Sequence, residues 1–290
     1  MRVGIDTYTY HRRFGEVRPS ESPVDTRWTT ADAVARCVEL GVDGISLETC
    51  YLEGTSDPEI SALRRMLDEA GLDRVLAWGH PGGLELGRSP ERFADALRAV
   101  DHAVGIGAEL LRIVVGTTAH FGSEDEAVVV ERLSPLVAEL TEYADDHGLP
   151  VAIETHCDLT VDGLLQLVED VDRPGLGVVF DTANVIRIGD DLIRAAEVLA
   201  PHTRMLHVKD LDLAASAEPG DPAGWWPCLP LGTGDLDLTD ALRLFDSAGF
   251  VGLACVEVAD VPAGTDEDAI AEESVRWLRA TMPRSRVPGG

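Results

Sequence analysis

Short apolar runs alternate with longer stretches of helical periodicity along the whole chain. Eight runs have strand length: Val3 to Tyr8, Gly44 to Glu48, Val75 to Trp78, Leu110 to Val115, Val151 to Glu154, Gly177 to Phe180, Met205 to Leu206 and Leu253 to Glu257. The first helical stretch starts near Thr30 and stops at Gly41, with Val34, Val38 and Leu40 on its apolar side. Asp57-Pro58 reads as N-cap and first residue of the next, which ends at Gly71. Ser89-Pro90 opens a third, ending near Gly105 or Gly107, and Ser123 with Glu126 has the capping-box spacing for a fourth that runs to His147. Further helices are predicted near Asp162 to Glu169, Asp191 to Leu199, from a Thr239 cap to Ser247 or Gly249, and over Glu267 to Ala280.

Strands and helices in strict alternation predict an α/β chain folded as a closed parallel (β/α)8 TIM barrel, a single domain over residues 1–290. An open doubly wound sheet is the competing arrangement. It usually brings a Gly-rich phosphate loop after the first strand, and Asp6-Thr7-Tyr8 is not one. The polar stretch from the first strand to Trp28 is long for a βα connection, so it is either a lid over the mouth or a surface insertion.

Charge narrows the choice of partners. With 24 Lys+Arg against 52 Asp+Glu, the net charge of -28 repels phosphate backbones and anionic membranes, which argues against nucleic acid and membrane binding. The acidity fits a high-salt cytoplasm or simply a strongly solvated surface. Five cysteines without paired metal spacing and no leader-like segment point to a reduced, cytoplasmic protein. No apolar stretch reaches bilayer-spanning length. Lys209 is the sole lysine in a chain that otherwise uses arginine. It stands two residues after His207, where a compact ammonium either acts on substrate or pairs with Asp210 or another rim carboxylate.

The chemistry lies at strand ends. Glu154, Asp181, His207 and Glu257 close four consecutive strands, and in a barrel such ends converge on one mouth. Three carboxylates and an imidazole suit one divalent cation, Mn²⁺ foremost, with Mg²⁺, Co²⁺ or Zn²⁺ as alternatives. His156 follows Glu154 by two and faces the same side of its strand, a position for substrate contact or proton transfer. His80, Tyr8, His11 and Glu48 are candidate substrate contacts, each with a structural alternative as a buried or ion-paired side chain. Trp225 and Trp226 either stack on a sugar or glycoside or cover an interface between chains. No basic cluster stands out at the rim, so a phosphorylated substrate is not expected.

These motifs resemble the sugar phosphate isomerase/epimerase family of xylose isomerase-like barrels, over nearly the whole chain. The resemblance rests on Ile153-Glu154-Thr155-His156, Phe180-Asp181-Thr182, His207-Val208-Lys209-Asp210, Leu231-Gly232-Thr233-Gly234-Asp235 and Val256-Glu257. It implies that Glu154, Asp181, His207 and Glu257 hold the metal and that the two glutamates act as an acid/base pair beside the substrate carbon. It further implies a homo-oligomer and a small sugar, cyclitol or glycoside as substrate. Two positions depart from the epimerase pattern: Asn184 replaces a substrate-contacting histidine, and Leu213 replaces an arginine. Asn184 is carried forward as a substrate contact. The first expectation is a metal-dependent isomerase or epimerase working through a stabilised enediolate. The second is a lyase on an oxidised sugar or cyclitol, such as a dehydratase or a C-glycoside-cleaving enzyme, with Lys209 orienting a substrate oxygen or shuttling a proton. A nuclease of the endonuclease IV type and a non-catalytic subunit are weaker alternatives.

Overall fold

A computed structural model describes residues 1–18, 21–215, 226–261 and 264–282. The chain order is β1 (Arg2–Asp6), α1 (His11–Phe14), α2 (Thr30–Leu40), β2 (Gly44–Glu48), α3 (Asp57–Ala70), β3 (Asp73–Trp78), α4 (Pro90–Ile106) and β4 (Leu110–Ile113). It continues with α5 (Glu126–Asp145), β5 (Val151–Glu154), α6 (Val161–Val171), β6 (Leu176–Asp181), α7 (Thr182–Arg187), α8 (Leu192–Leu199) and β7 (Thr203–Val208). Then follow β8 (Asp210–Leu211), β9 (Cys228–Leu229), α9 (Leu238–Ser247), β10 (Leu253–Val256) and α10 (Glu267–Thr281). The strands close in the order β1-β10-β7-β6-β5-β4-β3-β2, all parallel, so the barrel expectation holds and the open sheet is excluded. Among the described residues, no helix is long and apolar enough to cross a membrane.

Period-2 alternation explains where the chemistry sits. Val75, Leu110, Ala152, Val179, Met205, Leu253 and Cys255 form a separate apolar cluster that fills the barrel interior. Two residues further along their strands come Arg112, Glu154, Asp181, His207 and Glu257, all buried. The polar layer is therefore the next storey on the same inner face. A register shift between β6 and β7 pairs Val178 with Thr203 but Val179 with Met205, so Arg204 is an extra residue on β7. The bulge brings His207 level with Asp181.

Several local expectations are corrected. The first strand stops at Asp6 because its carboxylate accepts the Tyr8 N–H at 2.7 Å and turns the chain into a 3-10 helix over Thr7–Tyr10. The fourth stops at Ile113, since the carbonyls of Val114 and Val115 take the N–H groups of Leu84 and Leu86 instead of a neighbouring strand. Ser56, not Asp57, is the N-cap of α3. Asp125, not Ser123, caps α5, and Glu126 turns away to accept from the Thr160 backbone and hydroxyl at the start of α6. Asp237, not Thr239, caps α9. Helix α7 and the antiparallel pair β8–β9 were not predicted from the sequence.

Candidate active site

The four strand-end residues meet. Glu154, Asp181, His207 and Glu257 each offer one ligand atom, and these atoms lie within 4.8 Å of one another in a buried group. His207 Nδ1 is 2.8 Å from Glu257 Oε2, 3.2 Å from Glu154 Oε1 and 3.9 Å from Asp181 Oδ2. Its other nitrogen, Nε2, faces Asp6 Oδ2 at 3.3 Å. A carboxylate facing Nε2 favours a proton on that nitrogen and so leaves the Nδ1 lone pair for an ion. Glu257 Oε2 is buried without a hydrogen-bond partner, although it lies so close to Nδ1. Three hard oxygen donors and one imidazole nitrogen, converging around an unsatisfied buried oxygen, fit a divalent cation.

Cations surround this group. Lys209 Nζ lies 2.6 Å from Asp181 Oδ2 and 2.7 Å from Glu257 Oε1. Arg112 Nε lies 3.0 Å from Glu154 Oε2, and its Nη2 pairs with Glu48 Oε1. Burial works against an ionised Glu154, but Arg112 and His207 outweigh it and hold the carboxyl well below the usual range. Burial likewise opposes Glu257, and Lys209 with His207 pulls it well below. At Glu48 burial wins over Arg112 and pushes the carboxyl up. His207 is raised well above a free imidazole: burial opposes the charge, and Glu257 and Glu154 favour it more. Asn184 gives Nδ2 to Asp181 Oδ2 at 3.1 Å and to Glu154 Oε1 at 3.3 Å, and its Oδ1 accepts from Arg187 Nη1 at 3.3 Å.

Above this floor opens a cavity of about 280 Å³. Tyr8, Glu48, His80, Glu154, His156, Asn184, Lys209 and Glu257 line it, as the sequence predicted for a mouth site. Tyr8, Glu16 and Arg18, from the part of the stretch after β1 that ends at Arg18, pack at its mouth. Glu16 accepts from Tyr8 Oη at 2.9 Å and Tyr51 Oη at 2.7 Å, and pairs with His80 Nε2 at 3.0 Å. Burial opposes the Glu16 charge, yet these donors lower the carboxyl to about 2. Arg18 from the same stretch gives Nη2 to Tyr8 Oη and lies over the Tyr8 ring.

Some candidates are placed elsewhere. His11 is fully buried behind Tyr8, with Nε2 on Glu21 at 2.8 Å and Nδ1 on the Tyr8 carbonyl at 2.8 Å, so it braces the stretch after β1 and does not line the cavity. Trp226 is 1% exposed and belongs to the hydrophobic core rather than to a stacking face. Trp225 lies outside the described residues. Asp210 is not the partner of Lys209. Its carboxylate accepts the backbone N–H groups of Gly232, Gly234 and Leu236 and so shapes the Leu231–Asp235 loop. There Gly232 has φ +82° and packs so closely on Trp277 that a Cβ has no room. The expectation of no basic cluster is also corrected: Arg18, Arg112, Arg187 and Lys209 come from four separate segments of the chain to one cavity.

Comparison with known proteins agrees with this geometry. The family model described as xylose isomerase-like TIM barrel matches residues 34–281. The chain is 24% identical over 249 residues to the 3-oxo-isoapionate decarboxylase of Pectobacterium atrosepticum, covering 84% of this chain and 80% of that protein. It is 35% identical over 100 residues to the uncharacterized protein YihM of Escherichia coli, a match of 34% of this chain and only 29% of that one. A crystal structure of D-psicose 3-epimerase, in the presence of D-fructose, shares the fold at a TM-score of 0.74 and 14% identity, over 97% of this chain and 99% of that one. The chain belongs to the xylose isomerase-like TIM barrel family.

Proposed function

We propose that the protein is a divalent-metal-dependent enzyme, Mn²⁺ being the first candidate, that moves a proton next to a carbonyl of a small sugar-like molecule and so interconverts isomers or epimers. The observation that carries this reading is the convergence of Glu154, Asp181, His207 and Glu257 beneath a cavity of sugar size. A bound divalent ion supplies Lewis-acid polarisation of the substrate carbonyl. Glu154 and Glu257 are the two members of that set whose side chains also face the cavity, which fits them to remove and return a proton on a bound carbon. Lys209 and His156 stand where a substrate oxygen can take a proton or hydrogen bond, and Tyr8, His80, Glu48 and Asn184 offer hydroxyl contacts. The net charge of -28 opposes nucleic-acid partners.

A specific observation favours a second reading, a lyase. Arg112 and Lys209 hold the two glutamates ionised, and a carboxylate so stabilised is a weak base. A reaction that breaks a C–C bond beside the polarised carbonyl and needs one delivered proton places less demand on them. In a decarboxylation, the bond electrons pass toward the carbonyl, CO₂ leaves, and a proton reaches the carbon. The curated relative named a decarboxylase matches most of the chain.

Elemental mass spectrometry on wild type and Asp181→Ala, paired with assays in D₂O, tests both readings. About one divalent ion per chain, lost in Asp181→Ala, is the expected result, with turnover falling by about 10²-fold or more in Glu154→Gln and Glu257→Gln. Deuterium incorporation into a product isomeric with the substrate identifies isomerisation, whereas a shortened or unsaturated product identifies the lyase. Full activity of the metal-free protein overturns both.

A further inference from the structure

The barrel puts its four ligand residues on one side of the mouth and leaves the other side to different chemistry. Glu154, Asp181, His207 and Glu257 come from β5, β6, β7 and the residue after β10. In the closed order β1-β10-β7-β6-β5-β4-β3-β2, strand β2 stands four places from β6, so its end lies across the mouth from Asp181. Glu48 is that end. It is 2% exposed and lines the same cavity as Glu154 and Glu257. A molecule gripped by an ion on the ligand side therefore turns another side toward Glu48.

Among the described residues, four carboxylate oxygens at the site are buried without a hydrogen bond: Asp6 Oδ2, Glu48 Oε2, Glu154 Oε2 and Glu257 Oε2. Three of them face a nitrogen. Glu257 Oε2 lies 2.8 Å from His207 Nδ1, Glu154 Oε2 lies 3.0 Å from Arg112 Nε, and Asp6 Oδ2 lies 3.3 Å from His207 Nε2. Glu48 differs, because its ion pair with Arg112 runs through the other oxygen, Oε1. Arg112 thus anchors the carboxyl by one oxygen and not by Oε2. A buried polar atom without a partner costs free energy, and a substrate atom arriving at Oε2 removes that cost. Burial also pushes this carboxyl up, against the pull of Arg112.

The other groups on that side are engaged or unsuited. Tyr8 Oη donates to Glu16 and accepts from Arg18, and His80 Nε2 pairs with Glu16. Arg112 does not release a proton in a protein. On the ligand side, Lys209 Nζ lies 2.7 Å from Glu257 Oε1, so each ligand glutamate has one oxygen facing a cation.

We propose that Glu48 is a third proton-transfer residue of the site, giving its proton to the substrate carbon from across the mouth. The inference rests on the proposed function for the ion and the polarised carbonyl, and it gives Glu48 a role beyond a hydroxyl contact. In the isomerase reading, a glutamate of the ligand set takes the proton from carbon and the bond electrons pass toward the carbonyl oxygen. Glu48 then gives a proton to the carbon on its other face as the electrons return. In the lyase reading, CO₂ leaves, the bond electrons pass toward the carbonyl, and they return to the carbon as it takes the Glu48 proton. In both, Glu48 is left as a carboxylate and regains a proton from water.

The test is turnover in D₂O by the Mn²⁺-loaded protein. D-fructose and dihydroxyacetone probe proton exchange, oxaloacetate probes C–C cleavage, and Asp181→Ala gives the background without bound metal. Glu48→Gln keeps an oxygen for Arg112 but has no acidic proton to give. It should bind as much Mn²⁺ as wild type, lose about 10²-fold or more in kcat, and keep KM within about threefold. Glu48→Ala leaves room for formate, and added formate should restore part of its turnover; this variant decides the matter if Glu48→Gln does not fold. Turnover of Glu48→Gln close to wild type, a loss confined to KM, or a metal-loaded Glu48→Ala that formate does not restore overturns the assignment. Glu48 is then a hydroxyl contact or a counter-ion of Arg112, and the proposed function stands because wild type still turns over. A metal-loaded wild type inert on all three probes overturns both.

Discussion

His207 shows how much of the site depends on protonation at a single residue. The imidazole is surrounded by Glu154, Glu257 and Asp6, and its pKa is raised well above that of a free histidine despite burial. In the metal-free protein it is therefore protonated at neutral pH, with the charge neutralising the carboxylates. An ion can be held at Nδ1 only when that proton has left. Metal uptake at pH 7 is thus expected to release about one proton per ion, and affinity should fall as pH is lowered, because a group with a raised pKa holds its proton more firmly in acid. A weakly buffered titration with a pH indicator measures the release, and uptake without it would show that His207 is not a ligand. At this scale the sequence was legible wherever a charged residue ended an apolar run. The same alternation that exposes Glu154 two residues after Ala152 places Arg112 two residues after Leu110, but Arg112 was hidden inside a strand drawn out to Val115. Arg187 had a fainter signal, since it lies on a short helix that periodicity does not reveal. Arg18 had none, because only the fold of the stretch after β1 brings it to the mouth.

Strand-length runs and their order were readable because strands buried on both faces are nearly continuous in apolar residues. Helix starts were less so, since several residues near each start can cap, and the choice is made by tertiary partners. Glu126 illustrates this: its sequence spacing offers a capping box with Ser123, but α6 lies within reach, and the carboxylate caps Thr160 instead. At α9 the spacing points to Thr239, but it is the Asp237 side chain that takes the Asp240 N–H, at 3.2 Å. Asp237→Ala should therefore cost about 1 kcal/mol, and Thr239→Ala less than about 0.5 kcal/mol. Urea unfolding of the two variants measures the difference, and equal losses would place the cap elsewhere. The helix matters to the site through its surroundings: the loop that precedes it is folded around Asp210, which follows Lys209 directly.

The molecule as a whole works against its own charge. At -28, self-repulsion is spread over a chain in which acidic side chains outnumber basic ones by 52 to 24. Salt shortens the range of that repulsion, from about 10 Å at 0.1 M to about 3 Å at 1 M, so the thermal midpoint should rise with KCl over this interval. The proposed metal acts differently. Its ligands come from β5, β6, β7 and the residue after β10, and Asp6 from β1 orients one of them, so the site exists only when the barrel has closed through the β1–β10 pairing. An ion bound only to the closed barrel stabilises it by mass action, and chelation should lower the midpoint at every salt concentration. The two effects separate in one variant. Asp181→Ala deletes a ligand but changes the net charge by a single unit, so it should lose the response to chelator and keep the response to KCl. A midpoint in wild type indifferent to chelator would remove the metal from the fold's stability, and one indifferent to KCl would mean that the acidic surface is already neutralised by its ion pairs.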